Sequence, residues 1–529
     1  MATREVIAIL GAARAGNAWA QVALGKRYLI GGGGLPKNPA TAFYWLDRAA
    51  CQDEPAAWML IGQHIPFETA LRPTDSSKSY VWYERAFDAG VIQAGLVLAR
   101  LVLAQSDGPR DEALRRKAWR GLEMAAEAGI AEAQWLLAQQ IGMIGPDAIS
   151  DGFVHQDPIV ADQAYRLLHL KWVTRAAENG VSQAQRVLAD VAWAASDFAT
   201  FLRWSLPAAR AIEKQSSGLN FVARRLSDED LIVLSRCGQA LFLAAVFDAN
   251  EVERFLELAA RAGDKNAQFY FGLWFAKMDA NGTRLAGIPR VVDRRKAIHW
   301  LTLAGQQGHV EAWYAISRIY LKPEFARRSL ADAERYLEFA AVAGHAAAQL
   351  ELGERAWRAR VRIESNDVRA VYWLQKAASQ DCPKALDLLK IIAACATPAR
   401  WAQVAQRRLS TSAYPFLAAR IELAALFGLS EPEALLLDLN AADCGHCLVV
   451  DIRSEYARSK RRLILVGPGE ERQALSRIVR FFENVDCTQN GPEGNYRQRL
   501  YRLKAVLSPG RNSDAGTRRM ANHHFLVAS

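Results

Sequence analysis

The feature that most restricts this chain is a short run, Ala-Ala-x-x-Gly, that recurs in register along most of its length. It reads Ala12-Ala13 to Gly16, Ala125-Ala126 to Gly129, Ala176-Ala177 to Gly180, Ala259-Ala260 to Gly263 and Ala340-Ala341 to Gly344. Ala86 to Gly90 and Ala304 to Gly308 keep the spacing with one alanine, and Asp53 and Asp381 take the glycine slot after Ala49-Ala50 and Ala377-Ala378. Most neighbouring steps are 36 to 39 residues, and the longer ones, before Gly180, Gly263 and Gly308, hold insertions or a degenerate unit. A period of this size signals helix pairs stacked on their neighbours. Such an array lets a chain of 529 residues grow without separate cores. Nine copies in register weigh against an Ala-rich bundle with coincidental glycines.

Each copy has a mechanism. Before the glycine lies Ala-x-x-Trp/Tyr-Leu-x-x-Ala, as in Ala42/Trp45/Leu46/Ala49, Ala297/Trp300/Leu301/Ala304, Ala333/Tyr336/Leu337/Ala340 and Ala370/Trp373/Leu374/Ala377. Offsets of three and four place these residues on one helix face. Asp293, Asp332 and Asp367 stand near three helix starts, where a carboxylate can cap free N–H groups. The glycine ends the helix in the left-handed conformation. A second helix follows with Ala-Gln-x-x-Leu/Phe-Gly: Ala267-Gln268 to Gly272 and Ala348-Gln349 to Gly353, with related forms at Ala20-Gln21, Ala133-Gln134 and Ala184-Gln185. Ala and Trp (15 of the latter) suit close helix approach and the filling of gaps between layers.

These residues resemble the Sel1-like repeat, a relative of the tetratricopeptide repeat. The resemblance covers roughly residues 10–395, strongest at 10–53, 260–308 and 330–390. It is weak at 195–250, where Trp204 and Ala208 keep the spacing while Pro207 interrupts it and no glycine follows. It implies a mainly α fold: a right-handed helical-repeat solenoid of about nine units over residues 1–395, whose concave face binds protein partners. A non-enzymatic scaffold or adaptor is the function expected from that fold. Inserts at 142–163, 211–235 and 279–292 are expected to project as loops, with Gly145-Pro146-Asp147 and Gly282-Thr283 as turns.

Behind the array, residues 398–507 read as a small basic α+β domain. Helical text covers 401–409 and 414–427; 446–453 and 460–466 read as two strands joined by a polar turn; helices return at 470–482 and 496–507. From residue 398 onward 19 basic residues face 13 acidic ones, so +6 of the total charge of +10 sits there. Arg453, Arg458, Lys460, Arg461 and Arg462 form one candidate phosphate-binding set, and Arg497, Arg499, Arg502 and Lys504, interleaved with Tyr496 and Tyr501, a second. A solvated basic face explains the same residues. The stretch from Leu423 through Gly428-Leu429-Ser430, Glu433 and Asp438 to Lys460 resembles the start of a tyrosine recombinase (phage integrase) catalytic domain. Ser430 stands where that family has its first catalytic arginine, no His-x-x-Arg follows, and Tyr501 is a poor nucleophile. The resemblance therefore implies an inactive module. The alternative function is a nucleic-acid-associated protein of a mobile genetic element, whose C-terminal domain binds DNA without recombining it.

No catalytic constellation is apparent, and neither cofactor nor metal is expected. Cys444-Gly-His-Cys447 lacks two further zinc ligands and reads as structural thiols. Gly31 to Gly34 lacks the Lys-Ser/Thr ending of a phosphate loop and reads as a linker. The N-terminus has no signal-peptide pattern, and no apolar run is long enough for a membrane span. Seven scattered cysteines fit reduced thiols, so a cytoplasmic location is expected. The tail at 508–529, rich in Gly, Ser, Arg and Asn, reads as disordered.

Overall fold

A computed structural model of the chain describes residues 4–71, 79–104, 112–144, 158–217, 226–244, 248–286, 288, 291–394, 397–409, 413–487 and 491–508. It divides into two compact units, Met1–Phe255 and Leu256–Ser529.

In both units antiparallel helix pairs follow the period of the sequence. The turn between the two helices of a repeat is set by the punctuation glycine, whose φ lies between +85° and +107° at Gly16, Gly90, Gly129, Gly180, Gly263, Gly308 and Gly344. Asp53 and Asp381 adopt the same left-handed conformation, at +58° and +57°. After Gly263 the turn closes with Gly263 N–H on Ala260 O and Asp264 N–H on Ala259 O, both 3.1 Å. The Asp264 carboxylate then accepts from Ala267 N at 2.6 Å and starts the second helix. Asn17 does the same for Ala20 N.

Stacking between repeats depends on the second glycine of the motif. A Cβ on Gly25, Gly272 or Gly353 would lie 2.6–2.7 Å from the Cγ of Leu46, Leu301 or Leu374, the leucine of the next repeat's first helix. The absent side chain is the socket for that leucine, and the motif alanines around it are fully buried.

Departures from the periodic pattern are local. The 142–163 insert is entered by helix Ala131–Ile144 and left by helix Pro158–Glu178; Gly145-Pro146-Asp147 and the rest of it lie outside the described residues. The 211–235 insert is also partly helical, because Phe198–Ser217 runs into it and Asp228–Ala244 begins within it. Pro207 sits inside the first of these helices without ending it. At 279–292 a bridge between Met278 and Arg284 closes a turn at Gly282. Of the three expected caps only Asp293 acts as one, accepting from Lys296 N. Ser329 replaces Asp332 as the cap of its helix, and Asp367, within the first turn, accepts from Val368 N at 2.7 Å while also pairing with Arg461.

In the second unit the last repeat, helices Asn366–Ala378 and Pro383–Ile392, continues directly into a sheet. Strand β1 is Ala393–Ala394, β2 is Cys447–Val450 and β3 is Arg462–Leu465, in the order β1-β3-β2. β2 and β3 are the expected hairpin, paired antiparallel with Leu448 opposite Ile464. β1 pairs parallel to β3, with Ala393 opposite Leu463, and was not legible as a strand. Helices Arg400–Arg408, Pro415–Phe427, Glu470–Phe482 and Tyr496–Leu507 match the helical text, with Leu423, Phe427, Leu435, Leu475, Phe482 and Leu503 in their core. The tail beyond Ser508 lies outside the described residues.

Candidate functional site

A guanidinium can serve an outside ligand only if its charge is not already neutralised within the chain. Arg453 pairs with Asp451 and with Glu364 of the last repeat. Arg461 pairs with Asp367 and Asp451. Arg462 holds Glu433, whose carboxyl is raised by burial yet driven below its usual range by Arg462 and by the Ser430 backbone. Arg499, only 6% exposed, donates to the carbonyl oxygens of Gly494, Leu435 and Cys487, each at 2.8 Å. Burial lowers its pKa. Arg502 donates to Glu493 O. Arg458, Lys460, Arg497 and Lys504 are exposed, and among the described residues no ion pair reaches them. Between the two sets lies a cleft of about 720 Å³ whose lining includes Asp438, Asp451, Glu455 and Asp486. Of the nine cations, the fold engages five within the chain and leaves four exposed. Ser430 forms a capping box with Glu433.

Cys444 and Cys447 sit in an apolar cluster with Val371, Leu374 and Leu463. Burial pushes the Cys447 thiol up to about 12 and raises Cys444 as well. His446 between them is fixed by Val368 O, and Gln375 donates to the His446 carbonyl.

A second arrangement comes from the motif glutamines. Gln21, Gln134, Gln185, Gln268 and Gln349 each donate Nε2 to the carbonyl eight residues earlier, on Ala13, Ala126, Ala177, Ala260 and Ala341, at 2.9–3.1 Å. That carbonyl belongs to the end of the repeat's first helix and accepts the N–H of the punctuation glycine as well, at 3.1–3.2 Å, so the glutamine adds a second donor. In four cases the glutamine Oε1 accepts in turn from the next repeat: from Gln52, Asn179, Gln307 and Gln380, at 2.8–2.9 Å. Sequence reasoning missed these donors, although each stands seven residues after the motif tryptophan: Trp45, Trp172, Trp300 and Trp373.

Gln185 is the exception. No described residue donates to its Oε1, and seven residues after Trp204 stands Ala211. Beside Gln185 opens a cleft of about 450 Å³ floored by Ala189, Phe201, Trp204, Ala208 and Ile232. Its helices are Ser182–Ala194, Phe198–Ser217 and Asp228–Ala244. The ion pairs Arg186–Glu229 and Arg236–Asp190 bridge the first to the third. Cys237, raised to about 12 by burial, donates to Ser205 Oγ, and Ser205 donates to Phe201 O.

Among known proteins, the Sel1 repeat model matches residues 20–54, 70–91, 276–309 and 346–382. No curated protein matches the chain. A protective antigen of uropathogenic Escherichia coli strains, described as displaying an SLR fold, is similar in structure at 19% identity and a TM-score of 0.34, over 96% of this chain and 98% of that one. A Sel1 repeat protein from Oxalobacter formigenes is similar at 20% identity and a TM-score of 0.22, over 72% of this chain and 89% of that one. The chain therefore carries Sel1 repeats in both of its compact units.

Proposed function

We propose that this chain is a non-enzymatic scaffold whose repeat helices hold protein partners. The observation that carries the reading is an aromatic group that packs among itself and still reaches solvent. Trp313 stacks on Tyr336 at 5.9 Å between ring centroids, Tyr336 stacks on Tyr320 at 5.5 Å, and Phe339 meets both Trp313 and Tyr336 edge-on. Phe339 remains 46% exposed and Val342 71%, while Arg335 lies over the Tyr336 ring. Rigid aromatics with arginine nearby are the side chains that concentrate binding energy at protein interfaces, since they bury large area with little loss of rotamer freedom. Among the described residues no helix is long and apolar enough to cross a membrane.

The test replaces Phe339 in the full chain with a photo-cross-linking residue, and Val361 as an exposed control away from the aromatic group. Irradiation in the cells that make the protein is expected to yield a discrete polypeptide adduct from position 339 and none from 361. Equal or absent adducts at both positions would overturn the reading.

A further inference from the structure

We infer that the cleft beside Gln185 is a docking slot for a polypeptide segment of a partner that presents an Asn or Gln carboxamide next to an apolar side chain. This rests on the scaffold reading, but it uses the first compact unit, whereas the aromatic group lies in the second.

The argument is a missing donor. Five motif glutamines are anchored the same way through Nε2, so each holds its Oε1 aimed toward the following repeat. In four repeats a carboxamide N–H from the chain itself meets that oxygen. At the fifth, Ala211 occupies the donor's register position, and helix Phe198–Ser217 continues where the other first helices turn at Gly or Asp. The oxygen of Gln185 is left facing a cleft whose floor is apolar: Ala189, Phe201, Trp204, Ala208 and Ile232. An oriented acceptor beside apolar surface selects a ligand with one N–H donor and an adjacent hydrocarbon group.

Charge narrows the choice. Arg186 and Arg236 flank the cleft with Glu229, Asp190 and Asp230, the arginines already paired. An anion has no N–H to offer, and a carboxamide is the group that meets this oxygen in four other repeats, so a neutral carboxamide is the complement. The group that fills this position in four other repeats is itself part of a polypeptide, a side chain three residues after a buried alanine, Ala49, Ala176, Ala304 or Ala377. A partner segment with Gln or Asn beside a small or branched apolar residue reproduces it.

The experiment pans a displayed library of short random peptides on the full-length protein and on its Ala211→Gln variant. The variant supplies the carboxamide that four other repeats have. Peptides selected by the wild type are expected to carry Asn or Gln beside an apolar residue. Replacing that Asn or Gln by Leu in a selected peptide, or using Ala211→Gln as the target, is expected to weaken binding about tenfold, the share of one well-placed hydrogen bond. The variant should also melt at a higher temperature than the wild type, which shows that it is folded and that the slot is filled. Selection of peptides without carboxamides, binding that survives Ala211→Gln, or no selection at all would overturn the slot. The Phe339 cross-link decides the scaffold reading separately.

Discussion

A methyl group at position 353 would sit 2.7 Å from Leu374 Cγ and 3.4 Å from the carbonyl oxygen of Ala370. Gly353→Ala is therefore expected to destabilise the second unit by about 1–3 kcal/mol through overpacking, outweighing the gain of about 1 kcal/mol in helix propensity. Urea unfolding measures it, and combining it with Leu374→Ala should cost less than the sum of the two single changes. Strict additivity would show that the two positions do not press on each other. His345 makes a different kind of prediction. Its Nδ1 accepts from Ala348 N at 3.2 Å, a role open only to the neutral ring, and burial lowers its pKa from 6.5. The unfolded chain then takes up a proton at a pH where the native one does not. Stability is complete above pH 6.5 and declines as pH falls from there toward the lowered native value. His345→Asn keeps a cap and removes this titration, so its melting temperature should fall less on acidification than the wild type's. Part of the slope will remain, because burial lowers His309 in the same direction. An unchanged slope in the variant would contradict the assignment.

At the scale of elements, the amide ladder ties the first and second helices of a repeat and then joins that repeat to the next. Gln349 is 2% exposed and serves both bonds. Gln349→Leu removes one of two donors from Ala341 O, which keeps the Gly344 N–H, and takes away the acceptor of the Gln380 amide; it is expected to cost about 1 kcal/mol. Gln380→Ala should cost less, because its own amide is exposed in the folded chain. Equal losses from both would argue against the ladder as drawn. The helices themselves were readable because their signals are local: apolar spacing of three and four, and a turn residue at a fixed offset. Ser329 in place of Asp332 shows how far such local reading extends, since either residue is a good cap and the choice depends on where the first turn begins. The amide pairs join side chains 31 to 45 residues apart and leave no mark within any one repeat. Only the constant offset of seven from the tryptophan could have exposed them.

For the molecule as a whole, the sharpest difference from the sequence reading lies behind the array. The hairpin was legible from its β-branched runs, but β1 comprises two alanines at the end of a helix, with nothing in their composition to suggest a strand. The basic count was equally legible, and the pairing was not. The carboxylates that neutralise Arg453 and Arg461, Glu364 and Asp367, lie 89 and 94 residues earlier in the chain. Residues 397–508 thus cover the last repeat: Cys447, Val449 and Leu463 pack with Val371, Leu374, Leu389 and Ile392. A chain ended at residue 395 is expected to bind more of a hydrophobic dye than the full chain. Hydrogen exchange should also quicken across Pro383–Ile392. Unchanged exchange there would mean that the repeat holds its last helix without this cover.

The ladder also bears on how such a chain can change its length. At Gln21, Gln134, Gln268 and Gln349 the repeat offers an acceptor that an amide of the next repeat meets, so these four junctions are chemical copies of one another. Excising or duplicating a segment from one punctuation glycine to the next keeps each glutamine with its donor, because both lie within that segment. Ala211 breaks that equivalence. A copy inserted after Gly180 brings a donor for its own glutamine, lengthening the array while Gln185 keeps its open cleft.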